Sequence, residues 1–190
     1  MDTHSPHFVT CAASPCDAAE LSRVHLTAWL ETYPNAAAGI DADWIRKNVG
    51  WVVTPEGVAR WREAIEAAAL RPEQDFCRIA RSTDQAVGFL CGHRSDVATL
   101  GPMYVLARFA GRGIGSRLMD EYLEWVGVRP VFLWATTYNE RAVRFYTRHG
   151  FVDSGERQLW KGRLPNIRMV RSPHPVATRV RTGTADDMWA

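Results

Sequence analysis

At 190 residues, with 46% apolar and 23% charged residues, the chain has room for one domain with a sizeable core, and its composition excludes a disordered or fibrous class. A formal net charge of +2, with acids and bases interspersed, lacks the electrostatic footprint of a dedicated nucleic-acid binder. No apolar run approaches the roughly 18 residues of a membrane span, and the N-terminus shows polar and His residues where a signal segment would be apolar, so a cytoplasmic protein without a membrane or nucleic-acid partner is expected.

Residues 8–12 read as a short strand, and Ser14-Pro15 supplies a cap and first helical residue ahead of Leu21, Val24 and Ala28 at helical spacing. The pattern breaks around Gly39 and resumes at Trp44, Ile45 and Val49. Thr54-Pro55 then opens a helix with Val58, Trp61, Ile65 and Ala68 on one face, stopping near Pro72. From Phe76 the texture turns to strands: 76–81 and 86–92 as a hairpin across a turn at 82–85, then 99–106.

Gly111, Gly113 and Gly115 lead into a helix whose apolar face is Leu118, Met119, Tyr122, Leu123 and Val126. Residues 131–135 read as a central strand, and Asn139 can cap a helix carrying Ala142, Val143 and Tyr146 that stops at Gly150. Residues 151–160 and 166–170 read as a closing pair of strands, and the polar stretch 172–190 as a tail. Cys11, Cys16, Cys77 and Cys91 show no CxxC spacing, and the six histidines, with His4, His7 and His174 in probable tails, form no ligand cluster. Reduced thiols and no metal are expected.

Two stretches carry chemistry. In the first, a strand ending in residues 108–117 feeds a helix through alternate glycines. Such an entrance presents unpaired backbone N–H groups at the positive end of the helix dipole, and missing β-carbons let a pyrophosphate approach the main chain. A P-loop is excluded because no Gly-Lys-Ser/Thr follows at the required spacing, and the dinucleotide fingerprint fails because Leu118 stands three positions after Gly115. Glycines that merely shape a turn are the plain alternative. The second stretch, residues 139–151, is by itself an ordinary capped amphipathic helix with a Gly stop, in which Tyr146 would be a packing residue.

Together, in this order, the two resemble the GNAT superfamily of N-acetyltransferases, which joins a glycine loop to a downstream Asn-x-x-Ala-x-x-x-Tyr-x-x-x-Gly-Phe helix, matched here at Asn139, Ala142, Tyr146, Gly150 and Phe151. The resemblance covers residues 8–170. It implies an α/β fold spanning 1–171: a central twisted mixed sheet, mostly antiparallel with one parallel pair, and helices on both faces. It also implies acetyl-CoA as cosubstrate and a primary amine as acceptor, of a polyamine-like or other small molecule with peptide amines left open; homodimers are common in the superfamily, and the closing strands often take part in them. The strand before the loop would bulge and splay, so that Met103, Tyr104 and Val105 lie along pantetheine and a main-chain N–H near Val105 polarises the thioester carbonyl. Ala110, Gly111, Arg112, Gly113, Ile114, Gly115 and Ser116 would hold the pyrophosphate, and Asn139 the pantetheine arm, compatibly with a capping role.

Tyr146 is assigned the catalytic acid that reprotonates the departing thiolate. One departure is Ala110, where the family loop usually begins with Arg or Gln; Arg108 or Arg112 could substitute, or both could be solvated surface residues. The strand before the loop lacks the family's frequent Glu, which leaves Asp96, ordered waters, or binding of an already neutral amine to solve deprotonation. Trp29, Tyr33 and Trp44 fall in the region that forms the acceptor pocket, with Glu31 and Asp41 nearby in sequence, and core packing is the alternative for the aromatics. A binding protein that keeps the acyl-CoA cleft without turnover is the rival reading.

Overall fold

A computed structural model describes residues 8–172; the expected tail lies, beyond Ser172, outside the described residues. Strand β1 (Phe8–Ala12) is followed by a single 3-10 turn and then helix α1 (Ala18–Thr32). The Ser14-Pro15 signal therefore starts the 3-10 turn rather than the helix itself. There, the Ser14 hydroxyl accepts from the Cys16 amide while the Ser14 amide donates to Asp17, a reciprocal cap that satisfies two otherwise unpaired donors.

Helix α2 (Ala42–Val49) is capped by Asp41, which accepts from the Trp44 N–H at 2.7 Å. Helix α3 (Pro55–Leu70) is capped by Thr54, with Pro55 in the first turn, where its missing N–H costs nothing. Next come β2 (Asp75–Ser82), β3 (Gln85–His93), β4 (Ala98–Val105), α4 (Ile114–Val126), β5 (Val131–Thr136), α5 (Glu140–Arg148), β6 (Val152–Trp160) and β7 (Leu164–Arg171).

The seven strands form one sheet in the order β1-β2-β3-β4-β5-β7-β6. All neighbours are antiparallel except β4 and β5. That parallel contact is short: only Ala98 and Thr99 pair with β5, opposite Val131 and Phe132. From Leu100 onward the two strands separate, and the backbone groups of β4 on that side face an open edge.

Helices α4 and α5 cover one face of the sheet through Leu118, Met119, Tyr122 and Tyr146 packed against Leu90 and Leu133. Helices α1 and α3 cover the other face, where Leu21 and Ile65 meet Ile79 and Phe89. A third cluster joins α1 and α2 to the closing strands through Trp29, Ile45 and Leu164. Leu21, Ile65 and Phe89 are wholly buried, each contributing roughly 1.5–3 kcal/mol relative to exposure. The helix that walls the site is thereby anchored.

Register against β3 shows what shapes β4. Leu90 pairs with Met103, but Gly92 pairs with Leu100, so two steps along β3 match three along β4. The extra residue falls at Gly101-Pro102, opposite Cys91. A bulge reverses which face each later side chain takes, and Pro102, with no N–H to give, suits it. Before the bulge, Ala98 and Leu100 pack toward α4; after it, Met103 and Val105 do. Tyr104 consequently turns to the α1 face.

Candidate active site

The opening between β4 and β5 leads to a cavity of about 260 Å³ that is walled by α1, the segment around Trp51, β4, β5 and the closing strands. Helix α1 contributes His25 and Trp29, and its C-cap residue Tyr33 follows at the same interval of four, so the three share one face. The bulge turns Tyr104 into the same space, where its ring stacks on His25 with centroids 5.1 Å apart and 23° between planes. The Trp29 indole donates to the Tyr104 hydroxyl at 2.7 Å. Tyr138 donates to the carbonyl of Tyr33 at 2.8 Å, tying the end of α1 to the segment after β5. Trp160 of β6 lies 5.1 Å from Trp29 and 5.8 Å from Trp44.

Tyr146 of α5 belongs to the core on the opposite face of the sheet, packed on Phe145 and Phe151. It nevertheless lines the cavity with Tyr33, because the separated strands leave a passage between the two faces. Burial raises the Tyr146 phenol above its ordinary value, and the adjacent Tyr33 raises it further. Burial also raises Tyr33, against the opposing hydrogen bonds of Tyr104 and Thr136. Burial likewise holds Tyr104 well above its usual value, with Tyr33 adding to the shift. All three remain protonated at neutral pH and can donate a proton without first being charged.

The glycine loop lies where β4 runs out. Gly111 and Gly113 have φ of 79° and 84°, the left-handed region, and a β-carbon on either would meet nothing within 4 Å. Gly113 caps α4 with no side chain covering the first N–H groups of the helix. The loop is thus an open cradle of backbone donors at the positive end of a helix dipole, which fits a diphosphate. Ile114 buries its side chain in the core, Gly115 is half-buried beside Phe145, and Ser116 is exposed on the first turn. Ala110 is half-buried just ahead. Arg108 and Arg112 are both exposed and both lie over the Phe109 ring, guanidinium carbons 5.0 and 5.4 Å from the centroid, and Arg108 also donates to Gln85 at 2.8 Å. Asn139 accepts from the Ala142 amide at 3.1 Å, a helix cap at the mouth of α5.

Three carboxylates considered from sequence lie elsewhere. Asp96 is exposed on the turn before β4, at the closed end of the parallel pair, and does not line the cavity. Glu31 accepts from the Ala107 amide at 2.8 Å, and Asp41 caps α2. Among the described residues, no three or more His, Cys, Asp or Glu gather into a group that could hold a metal ion.

Sequence reading missed His25, although its position one turn before Trp29 was a usable signal. Thr136, Trp160 and Asn166 had none: β7 inserts between β5 and β6, bringing Thr136 Oγ within 3.0 Å of Asn166 Oδ1 across thirty residues. Burial pushes the His25 imidazole down to about 3. Its Nδ1 is buried and has no hydrogen-bond partner.

Comparison with known proteins agrees with this architecture. The family model described as acetyltransferase (GNAT) family matches residues 26–151. A protein of Methanocaldococcus jannaschii named an uncharacterized N-acetyltransferase is 26% identical over 153 residues, covering 75% of this chain and 62% of its own length. The chain spans about three-fifths of the curated relatives it matches. The PaiA N-acetyltransferase of Thermoplasma acidophilum, solved in complex with coenzyme A, superposes with a TM-score of 0.71 at 18% identity, over 87% of this chain and 99% of that one. A GNAT acetyltransferase of Streptococcus pneumoniae superposes at 0.67 with 22% identity, over 87% and 98%. At these identities the superpositions establish the fold.

Proposed function

The chain belongs to the acetyltransferase (GNAT) family, and from that premise we propose that it transfers the acetyl group of acetyl-CoA directly to a primary amine of a small molecule. The observation that carries the reading is that β4, the strand running into the glycine cradle at α4, lines the α1 cavity together with the buried phenol of Tyr146. Gly111, Arg112, Gly113 and the first amides of α4 would hold the diphosphate, and the free edge of β4 from Met103 to Val105, with Asn139, the pantetheine arm. Arg112, rather than Arg108, stands in for the side chain missing at Ala110, because Arg108 is engaged with Gln85.

A bound acetyl thioester supplies an electrophilic carbonyl carbon; the amine forms the C–N bond, the C–S bond breaks, and one proton passes from nitrogen to sulfur. Tyr146 gives its proton to the departing sulfur. Tyr33, next to it, returns one from the nitrogen side, so the two phenols relay the proton without a carboxylate. The amine enters neutral, since an uncharged aromatic cavity disfavours its ammonium form. Asp96 takes no part, being exposed at the closed end of the strand pair. We place the protein in the cytoplasm, where the free, closely facing thiols of Cys77 and Cys91 stay reduced. No helix among the described residues is long and apolar enough to cross a membrane. The edge strand β6, with Val152 and Leu159 exposed, is the surface on which a second copy would pair.

Two measurements test the reading. Acetyl-CoA should raise the melting temperature progressively with concentration, and amine addition should then release free thiol. Stabilisation without thiol release from any amine would favour the rival, an acyl-CoA sensor on the same fold.

A further inference from the structure

The cavity has a chemical character that the transfer reading leaves open. Its acceptor side is built of flat rings, Trp29, Tyr33, Trp51 and Trp160, and its polar atoms there come from neutral groups such as Asn48 and Gln158. Among the described residues, none that lines the cavity carries a carboxylate, and His25 is neutral. Behind the β5 wall the charges form an ion pair: Arg168, 4.3 Å over the Phe132 ring, with Glu156 at 2.6 Å.

We propose that the acceptor is a monoamine carried on an uncharged, flat apolar body, an arylalkylamine in chemical class, and that polyamines are excluded. The inference rests on the acetyl-transfer reading and names its acceptor. In the transfer, nitrogen gains the acetyl carbon and loses the proton that sulfur receives, so a monoamine brings no charge that persists in the cavity. A diamine or polyamine brings a second ammonium, which must shed water where no carboxylate replaces it. Ring faces attract a cation, yet only partly offset that loss. A flat apolar body instead stacks offset on the indoles and displaces water from them. The volume of about 260 Å³ is on the scale of one or two fused rings.

The test measures thiol release at fixed acetyl-CoA with 2-phenylethylamine and tryptamine against putrescine and spermidine. The arylalkylamines should lead on the order of 100-fold in kcat/KM. Gln158→Glu, at the exposed rim, puts a carboxylate on the cavity and should narrow that ratio about tenfold. A ratio favouring putrescine or spermidine overturns the acceptor class and leaves acetyl transfer standing. Acetyl-CoA binding with no thiol release from these or any other amine overturns the transfer reading instead. Tryptophan fluorescence then reads the cavity directly: saturable quenching by phenylethylamine and none by putrescine supports the acceptor class, and any other pattern overturns it.

Discussion

The indole N–H of Trp29 donates to the hydroxyl of Tyr104 at 2.7 Å, and that bond joins the helix walling the cavity to the bulged strand that opens it. Trp29 is 8% exposed, so its N–H has little access to water as an alternative partner. Tyr104→Phe should therefore destabilise the fold by about 1–2 kcal/mol, the cost of an orphaned buried donor, read as a lower denaturant midpoint with an unchanged slope. An unchanged midpoint would mean that the bond is dispensable.

Tyr146→Phe keeps the ring that packs on Phe145 and Phe151 and removes only the hydroxyl. Turnover should fall roughly 100-fold or more, the usual worth of a positioned acid, while acetyl-CoA affinity stays within about twofold. Equal turnover in the two proteins would remove Tyr146 from the chemistry.

His25 links stability to pH. Its folded pKa of about 3 lies below the unfolded value of roughly 6.5, so the unfolded chain binds the proton more readily. The contribution is fully present above pH 6.5 and is lost as pH falls through the window toward 3, at about 1.4 kcal/mol per unit. Between pH 7.5 and pH 5 the loss should be about 2 kcal/mol. His25→Phe retains a flat ring among Trp61, Phe89 and Tyr104 and should flatten that dependence in chemical denaturation. Parallel pH curves for the two proteins would contradict the assignment.

Gly113→Ala forces an L-residue into φ of 84°, a strain of about 1–2 kcal/mol, and sets a methyl in the cradle. Gly155→Ala, at φ of 86° with open space around it on β6, carries the same strain far from the cradle. Calorimetric titration should show acetyl-CoA affinity weakened about tenfold or more by the first and unaltered by the second. Equal loss in both would trace the effect to strain alone.

Local chemistry made much of this protein legible from its residues. The alternate glycines, the Asn139 cap and the spacing to Tyr146 identify the family, and periodicities of two and 3.6 mark strands and helices, because such signals lie within a few residues of one another. Tertiary structure alone decided the rest. One extra residue at Gly101-Pro102 turns Tyr104 to the α1 face; β7 enters between β5 and β6; and Tyr33 meets Tyr146 through the separated strands. The last two join segments tens of residues apart, and local periodicity carries no information about which distant strand a segment will join. The same distance explains the carboxylates: Glu31 and Asp41 stand close in sequence to the aromatic wall, yet backbone amides hold them outside it, which leaves the cavity uncharged.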